Sequence, residues 1–344
     1  METRQDLRGM KKEEIVNLME EIKEPSFRGE QVFQWIQGRG VSKWEQMHNL
    51  PQGLKEKLAT RTFIPPLKPD REWEGQDGTR KFLFELFDGE KIESVLLKHP
   101  DHYTLCISTQ VGCRFNCLFC ATGKMGLKRN LMAGEITGQV LEVVFREKIK
   151  PRNVVFMGMG EPLDNLEAVL KTIYLLGDQQ GQNIGQRRIT ISTCGLIPEI
   201  NRLAALELQC VLAISLNAPA DDLRSKLMPI NRTYPLEELL RACQNYFTTS
   251  GRRISFEYAL IKGINDTPDH AHHLAALLGK FPAHINLLPA NPIQHAGFEG
   301  AGEETLKRFL SILEASGLPV TVRRSRGQDI QAACGQLNPL EGED

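Results

Sequence analysis

No window of the 344-residue chain approaches the roughly 18 consecutive apolar residues of a membrane-spanning helix, which argues against a helical membrane protein. The opening stretch "METRQDLRGMKKEEIVNLME" is charged throughout and has no apolar h-region, so no secretory leader is expected. Neither sign of charge dominates. A net charge of -1 neither announces nor excludes nucleic acid, because phosphate binding depends on local clustering. Internal repeats and low-complexity tracts are missing as well, which sets aside solenoids and disordered tails. What is present, 41% apolar and 25% charged residues, can bury a large core, and the length allows one large α/β domain plus a small accessory one. A cytoplasmic location is expected. In that reducing compartment eight cysteines do not form a disulfide framework, so clustered ones point to metal or redox chemistry.

Residues 1–60 read as a small helical module. Ile15, Leu18, Met19 and Ile22 fall at helical spacing, and Val32, Phe33, Trp35 and Ile36 repeat the pattern. Residues 61–98 read as a β-hairpin linker, with Phe82, Phe84 and Leu86 alternating, Asp88-Gly89 at the turn and a strand-like run from Ile92 to Leu97. From residue 99 to the end, the runs "TLCIST", "NVVFMGMG", "RITISTCG", "VLAISLNA", "ISFEYALI", "HINLLPAN" and "PVTVRRS" alternate with helical segments. This is the grammar of βα units with a parallel sheet, either a partial barrel or an open doubly wound sheet. In both, ligands sit beyond the carboxyl ends of the strands, where Gly160-Glu161, Ser192-Thr193, Ser215, Asn217 and Asn291 fall.

Four of the eight cysteines lie within the fifteen residues from Cys106 to Cys120. Cys113, Cys117 and Cys120 have the spacing C-x3-C-x2-C, tight enough to wrap one metal centre. A closed structural zinc site normally takes four protein ligands. A [4Fe-4S] cluster on three thiolates leaves one iron open for a substrate and suits the count better. Phe115 and Phe119 stand between the ligands, where they could shield a cluster from water. Buried structural cysteines are the bland alternative.

This loop after the first barrel strand, with "GMGEP" after the second, resembles the radical S-adenosylmethionine (SAM) superfamily, which implies a partial (β/α)6 barrel. "LCISTQVGCRFNCLFCATG", "NVVFMGMGEPLDN", "ISLNAP", "LMPINRTYP", "INLLPANP" and above all "RGQDIQAACGQL" resemble, more closely, the dual-specificity adenine-C2 methyltransferases of 23S ribosomal RNA and transfer RNA. The likeness runs from the helical module to about Leu337. It implies SAM bound by Gly160, Glu161, Ser192, Ser215, Leu216, Asn217 and Asn291, and a cluster on Cys113, Cys117 and Cys120. Where that family commonly reads Ser-Leu-His, this chain has Ser215-Leu216-Asn217, and asparagine cannot titrate.

Adenine C2 lies between two ring nitrogens and is too electron-poor to attack a SAM methyl, so a radical route is needed. The resemblance implies that Cys334 accepts a methyl by thiolate displacement and becomes the methylene donor. It further implies that Glu93 removes the C2 proton and that Cys106 resolves the RNA–protein adduct through a transient disulfide with Cys334. Judged on position alone, Cys106 is a core cysteine, Glu93 a solvated strand carboxylate and Cys334 a small packing residue. Cys194, Cys210 and Cys243 match no family role and read as packing residues. An electron donor such as flavodoxin or ferredoxin and a monomeric state are expected. Basic groups at Lys124, Lys128 and Arg129, at Arg187 and Arg188, and at Arg323 to Arg326 could grip RNA phosphates around a flipped-out adenine. His270, His272 and His273 read as a solvated helix face. Two alternatives stand beside this reading: a C8-specific adenine methyltransferase, disfavoured by "RRSRGQDI" and "DGTRKFLFEL", and a non-catalytic zinc-containing RNA-binding protein.

Overall fold

The computed structural model describes residues 4–279, 281–293 and 297–339. Its centre is a ten-stranded sheet whose strands lie side by side in chain order. Three antiparallel strands, β1 (Lys68–Glu74), β2 (Arg80–Glu85) and β3 (Lys91–Lys98), lead antiparallel into β4 (Tyr103–Cys106). From there the sheet is parallel, through β5 (Asn153–Phe156), β6 (Ile189–Thr193), β7 (Val211–Ser215), β8 (Ile254–Leu260), β9 (Ala283–Pro289) and β10 (Val320–Val322). Helices Ala133–Glu147, Leu166–Gly177, Ile197–Ala204, Leu236–Ser250, Pro268–Leu278 and Glu303–Ala315 fill the crossovers. The architecture is a partial (β/α)6 barrel with β10 as a closing edge strand.

The parallel strands form where the sequence has short β-branched runs, because helices cover one face and the barrel interior the other. In β8 all seven residues are buried. The β2–β3 hairpin turns at Gly89 (φ +82), with the Leu86 N–H donating to Glu90 O at 2.8 Å. Its phenylalanines do not simply alternate with exposed residues, since Phe82, Leu83 and Phe84 are all buried. The physical reason is that β3 pairs with β4, Val95 opposite Cys106, so the hairpin continues the barrel sheet and shares its core.

Helices Lys12–Glu21, Phe27–Phe33 and Gln52–Arg61 form the N-terminal module. Ile15, Leu18, Met19, Val32, Phe33, Ile36, Leu54 and Leu58 make its core, with Ile22 and Trp35 partly buried at the margin. Leu175 of the barrel helix Leu166–Gly177 completes that core, so the module is packed onto the barrel. Each such buried aliphatic or aromatic side chain contributes about 1.5–3 kcal/mol. The Gly134 N–H donating to Asp6 at 2.7 Å and the Lys171–Glu14 pair at 2.9 Å fix the orientation.

Candidate active site

Beyond β4 the chain enters a two-stranded ribbon, Gln110–Cys113 with Gly126–Asn130. Gly112 is required there: its φ is +76, and a Cβ would lie 1.8 Å from Gly126 O. Cys113 ends the first ribbon strand, Cys117 sits in the following turn, and Cys120 precedes the short helical turn Ala121–Lys124. The turn is held by the Cys120 N–H donating to Cys117 O at 3.1 Å and the Leu118 N–H donating to Leu227 O at 3.0 Å.

All three thiols open into one cavity, with Phe115 and Phe119 on its wall. Burial pushes Cys113 up to about 12 and raises Cys117 and Cys120 as well, so the thiolates need a cationic partner. Among the described residues no three His, Cys, Asp or Glu side chains are grouped so as to hold a metal ion. Zinc would bring its thiolates within about 2.3 Å of one point. A four-iron cluster binds each of three thiolates at a different iron, and three thiols opening into one cavity large enough to hold more than a single ion fit that group.

The carboxyl ends of β5 to β9 form the rest of the cavity. Gly160, Glu161, Ser192, Ser215, Asn217 and Asn291 line it; Leu216 does not. Leu216 is buried, its N–H bound to Glu257 O and its carbonyl to Arg224. Gly160 has φ +98, and a Cβ there would press within 2.5 Å of Gln110. The Glu161 carboxylate faces protein, accepting the Cys194 N–H at 2.8 Å and the Leu163 N–H at 3.1 Å. Burial raises its pKa against those donors. Asn217 is left-handed (φ 56) and ties β7 to β8 by accepting the Ala259 N–H at 2.9 Å. Its amide nitrogen meets Met228 Sδ at 3.4 Å.

The segment after β10 folds back across the barrel mouth. Gly335 O accepts the Ala121 N–H at 2.7 Å, Leu337 O accepts the Thr122 hydroxyl at 2.7 Å, and Cys334 O accepts the Asn291 amide at 3.0 Å. Gly335 adopts φ +83, and a Cβ would meet Phe119 O at 2.7 Å. These bonds place the exposed Cys334 on a wall common to two cavities. One holds the three-cysteine loop; the other is lined by Cys106, Val95, Leu97, His99 and the basic run Arg323, Arg324 and Arg326.

Cys106 is buried, and desolvation, with Cys334 adding to it, pushes its thiol up to about 12 against the Met157 N–H and the Arg323 cation. Burial works against the Arg323 cation, but Cys334, Glu257 and Cys106 together keep its pKa above the ordinary value. All eight cysteines, Cys106 and Cys334 included, are free thiols. Glu93 lies on the same face of β3 as Val95, two residues along, and Val95 pairs with Cys106. It does not line either cavity; it is buried and ion-paired to Lys81 at 2.9 Å.

Sequence reasoning missed Lys81, whose ammonium also reaches Gln331 O at 3.5 Å in the returning loop. The available signal was a lysine among apolar residues of β2 with an acid among apolar residues of β3. It also missed Asn265, which binds Asn217 O and Ala259 O at 2.7 Å each, and Arg224. The basic groups divide. Lys128 pairs with Glu90, and Arg129 with Asp88 and Glu135, while Arg187 and Arg188 precede β6, at the end opposite the mouth. Arg323, Arg324 and Arg326 alone line a site cavity. His270 interacts with Thr267 at the start of its helix; His272 and His273 are exposed.

Residues 107–275 match the family model of the radical SAM superfamily, and residues 5–64 match that of the ribosomal RNA large subunit methyltransferase N-terminal domain. A protein of Desulfitobacterium hafniense described as "Probable dual-specificity RNA methyltransferase RlmN" is 47% identical over 97% of this chain and 96% of its own. One of the same description from Moorella thermoacetica is 46% identical over 98% of both. A crystal structure of a radical SAM methyltransferase from Sphaerobacter thermophilus superimposes with a TM-score of 0.93 at 46% identity, covering 97% of this chain and 99% of that one.

Proposed function

The chain belongs to the RlmN family of dual-specificity RNA methyltransferases within the radical SAM superfamily, and from that premise we propose that it methylates C2 of an adenine in the peptidyl transferase region of 23S ribosomal RNA and the adenine next to the anticodon in transfer RNA. The observation that carries the proposal is the position of Cys334 on the wall shared by the cluster-side and Cys106-side cavities. A thiol there can be loaded from one side and can deliver to a base on the other.

Cys113, Cys117 and Cys120 hold the cluster in this reading, and the strand-end groups of Gly160, Glu161, Ser192, Ser215, Asn217 and Asn291 surround SAM. When bound, cluster and SAM supply the methyl group and the one-electron chemistry that an electron-poor carbon requires. Leu216 serves by positioning its neighbours, and Asn291 by fixing the loop at Cys334 O. Cys334 carries the methyl carbon as S-methylcysteine. Glu93, which lines neither cavity at rest and is ion-paired to Lys81, takes the C2 proton once a bound base brings that carbon within its reach. The Cys106 thiolate then attacks the sulfur of Cys334: a transient disulfide forms as the bond from that sulfur to the methylene carbon breaks, the electron pair passes to that carbon and the ring, and the carbon takes a proton as the methylated base leaves.

The second cavity suits an unstacked base. Val95, Leu97, Val155 and Val322 give it apolar walls, and Arg323 to Arg326 a cationic rim for phosphates. A flavodoxin or ferredoxin is the expected donor, and the monomer the expected state. The reading is tested by anaerobic turnover on 23S ribosomal RNA and transfer RNA, followed by nucleoside digestion and mass spectrometry. It predicts 2-methyladenosine; 8-methyladenosine, or colourless protein with stoichiometric zinc, overturns it.

A further inference from the structure

Arg224 lies in the short helix Asp221–Leu227 that follows β7. It is one of the largest fully buried side chains, with no measurable exposure. Its guanidinium donates through Nε to Leu216 O at 3.1 Å, through Nη2 to Cys194 O at 2.7 Å and Ser215 O at 3.1 Å, and through Nη1 to Asn231 Oδ1 at 2.9 Å. None of the four acceptors is a carboxylate. The acid of the same helix, Asp221, does not touch the guanidinium; it acts on it through space and accepts the Asn231 amide at 2.8 Å.

A buried cation with an uncharged hydrogen-bond shell is expensive: taking an ion out of water has a penalty of several kcal/mol, which neutral carbonyls only partly offset. A methionine would fill the same space without that penalty. The charge lies behind the cysteine loop: its Nη2 binds the carbonyl of Cys194, which lines the same cavity as Cys117, and both cysteines act on it electrostatically. Leu227, the last residue of its helix, accepts the Leu118 N–H between Cys117 and Cys120.

We propose that Arg224 is a positioning residue for the cluster: its fixed charge, on the helix that anchors the loop between Cys117 and Cys120, raises the reduction potential of the [4Fe-4S] group while its fork holds the ends of β6 and β7. Reduction adds one electron and no proton to the cluster, drawn from a low-potential one-electron donor, so the product carries one more negative charge. A cation in a low-dielectric surround favours that product over the oxidised form. The inference rests on the functional reading above only in that a cluster occupies the three-cysteine loop.

The test is an EPR-monitored dithionite titration of the anaerobically reconstituted full chain. Arg224→Gln removes the charge but keeps a donor, and should weaken reduction at least tenfold, a fall of 59 mV for a one-electron couple. Arg224→Lys keeps the charge but loses the fork; its melting temperature should drop while its potential stays near that of the parent. A second route leaves Arg224 in place. The exchange Asp221→Asn with Asn231→Asp preserves net charge but sets a carboxylate against the guanidinium, and it too should lower the potential. A folded Arg224→Gln protein with the parent potential overturns the proposal; should that variant not accumulate, an unshifted potential in the exchange variant does so. Absence of any [4Fe-4S] signal in the parent refutes the functional reading itself.

Discussion

Cys106 is the group whose assigned role is most at odds with its resting chemistry, and the mismatch sets a rate. Burial holds its pKa at about 12. At pH 8 roughly one molecule in ten thousand then carries the thiolate, a penalty of about 5 kcal/mol at 1.36 kcal/mol per unit. Once Cys334 is a thioether it cannot ionise, so its contribution disappears, but desolvation, the larger cause, stays. If Cys106 resolves the adduct as a thiolate, adduct decay should accelerate about tenfold for each pH unit between 7 and 9. Arg323 stabilises that thiolate, so Arg323→Gln should slow decay further at every pH. The assay is an acid-quenched single turnover with end-labelled RNA, resolving free RNA from the RNA–protein adduct on denaturing gels. Cys106→Ala should leave the adduct standing. A pH-independent decay, or normal release of methylated RNA from Cys106→Ala, refutes the reasoning.

Other outcomes follow from contacts around the site. Lys81→Met removes the 2.9 Å ion pair to the buried Glu93 carboxylate and should destabilise the protein by about 3–5 kcal/mol in urea melts. Lys81→Met combined with Glu93→Gln should be less destabilised than the sum of the single variants; strict additivity would show the pair uncoupled. Gly335→Ala places a side chain at φ +83 and 2.7 Å from Phe119 O, and should cost about 2 kcal/mol with faster proteolysis of the C-terminal loop. Unchanged proteolysis would mean the loop is not held at Gly335. Cys210 and Cys243 are raised by burial to about 12 each, above the ordinary thiol value, so the unfolded chain loses those protons first as pH rises. Each should remove about 1.4 kcal/mol of stability per pH unit from about pH 8.5 up to the folded pKa. Comparing alkaline melts of the parent with Cys210→Ala/Cys243→Ala checks this, and identical pH slopes would contradict it.

The seven parallel strands were legible because each is a short β-branched run in chain order, and a partial barrel keeps sequential strands adjacent. β1, "KPDREWE", was not legible as a strand: its charges suit an exposed edge and carry no apolar alternation. The cysteine loop could be read from spacing, since its three thiols depend on neighbours a few residues away. Lys128 and Arg129 read as phosphate contacts because their acids, Glu90, Asp88 and Glu135, come from a hairpin turn and a helix start that only the fold brings close. Arg224 gave no signal at all, since a charged residue on a short helix normally faces water.

Cys106 and Cys334 show where local reading has to fail. Judged by its own strand, Cys106 is a core residue, and by burial it remains one. What makes it more is the returning loop, and that loop is specified by distributed choices: glycines at 327 and 335 with positive φ, amides at Asn291, Gln328 and Gln336, and hydroxyl and backbone donors at Thr122 and Ala121. Each is ordinary turn chemistry by itself. Together they hold the segment over the strand ends, where Ile330, Ala332 and Leu337 pack it onto the barrel core, so the position of Cys334 depends on hydrogen bonds and packing together. In the proposed reaction Cys334 is reached first from the cluster side and then from the base side, and that support holds its thiol on the wall the two cavities share.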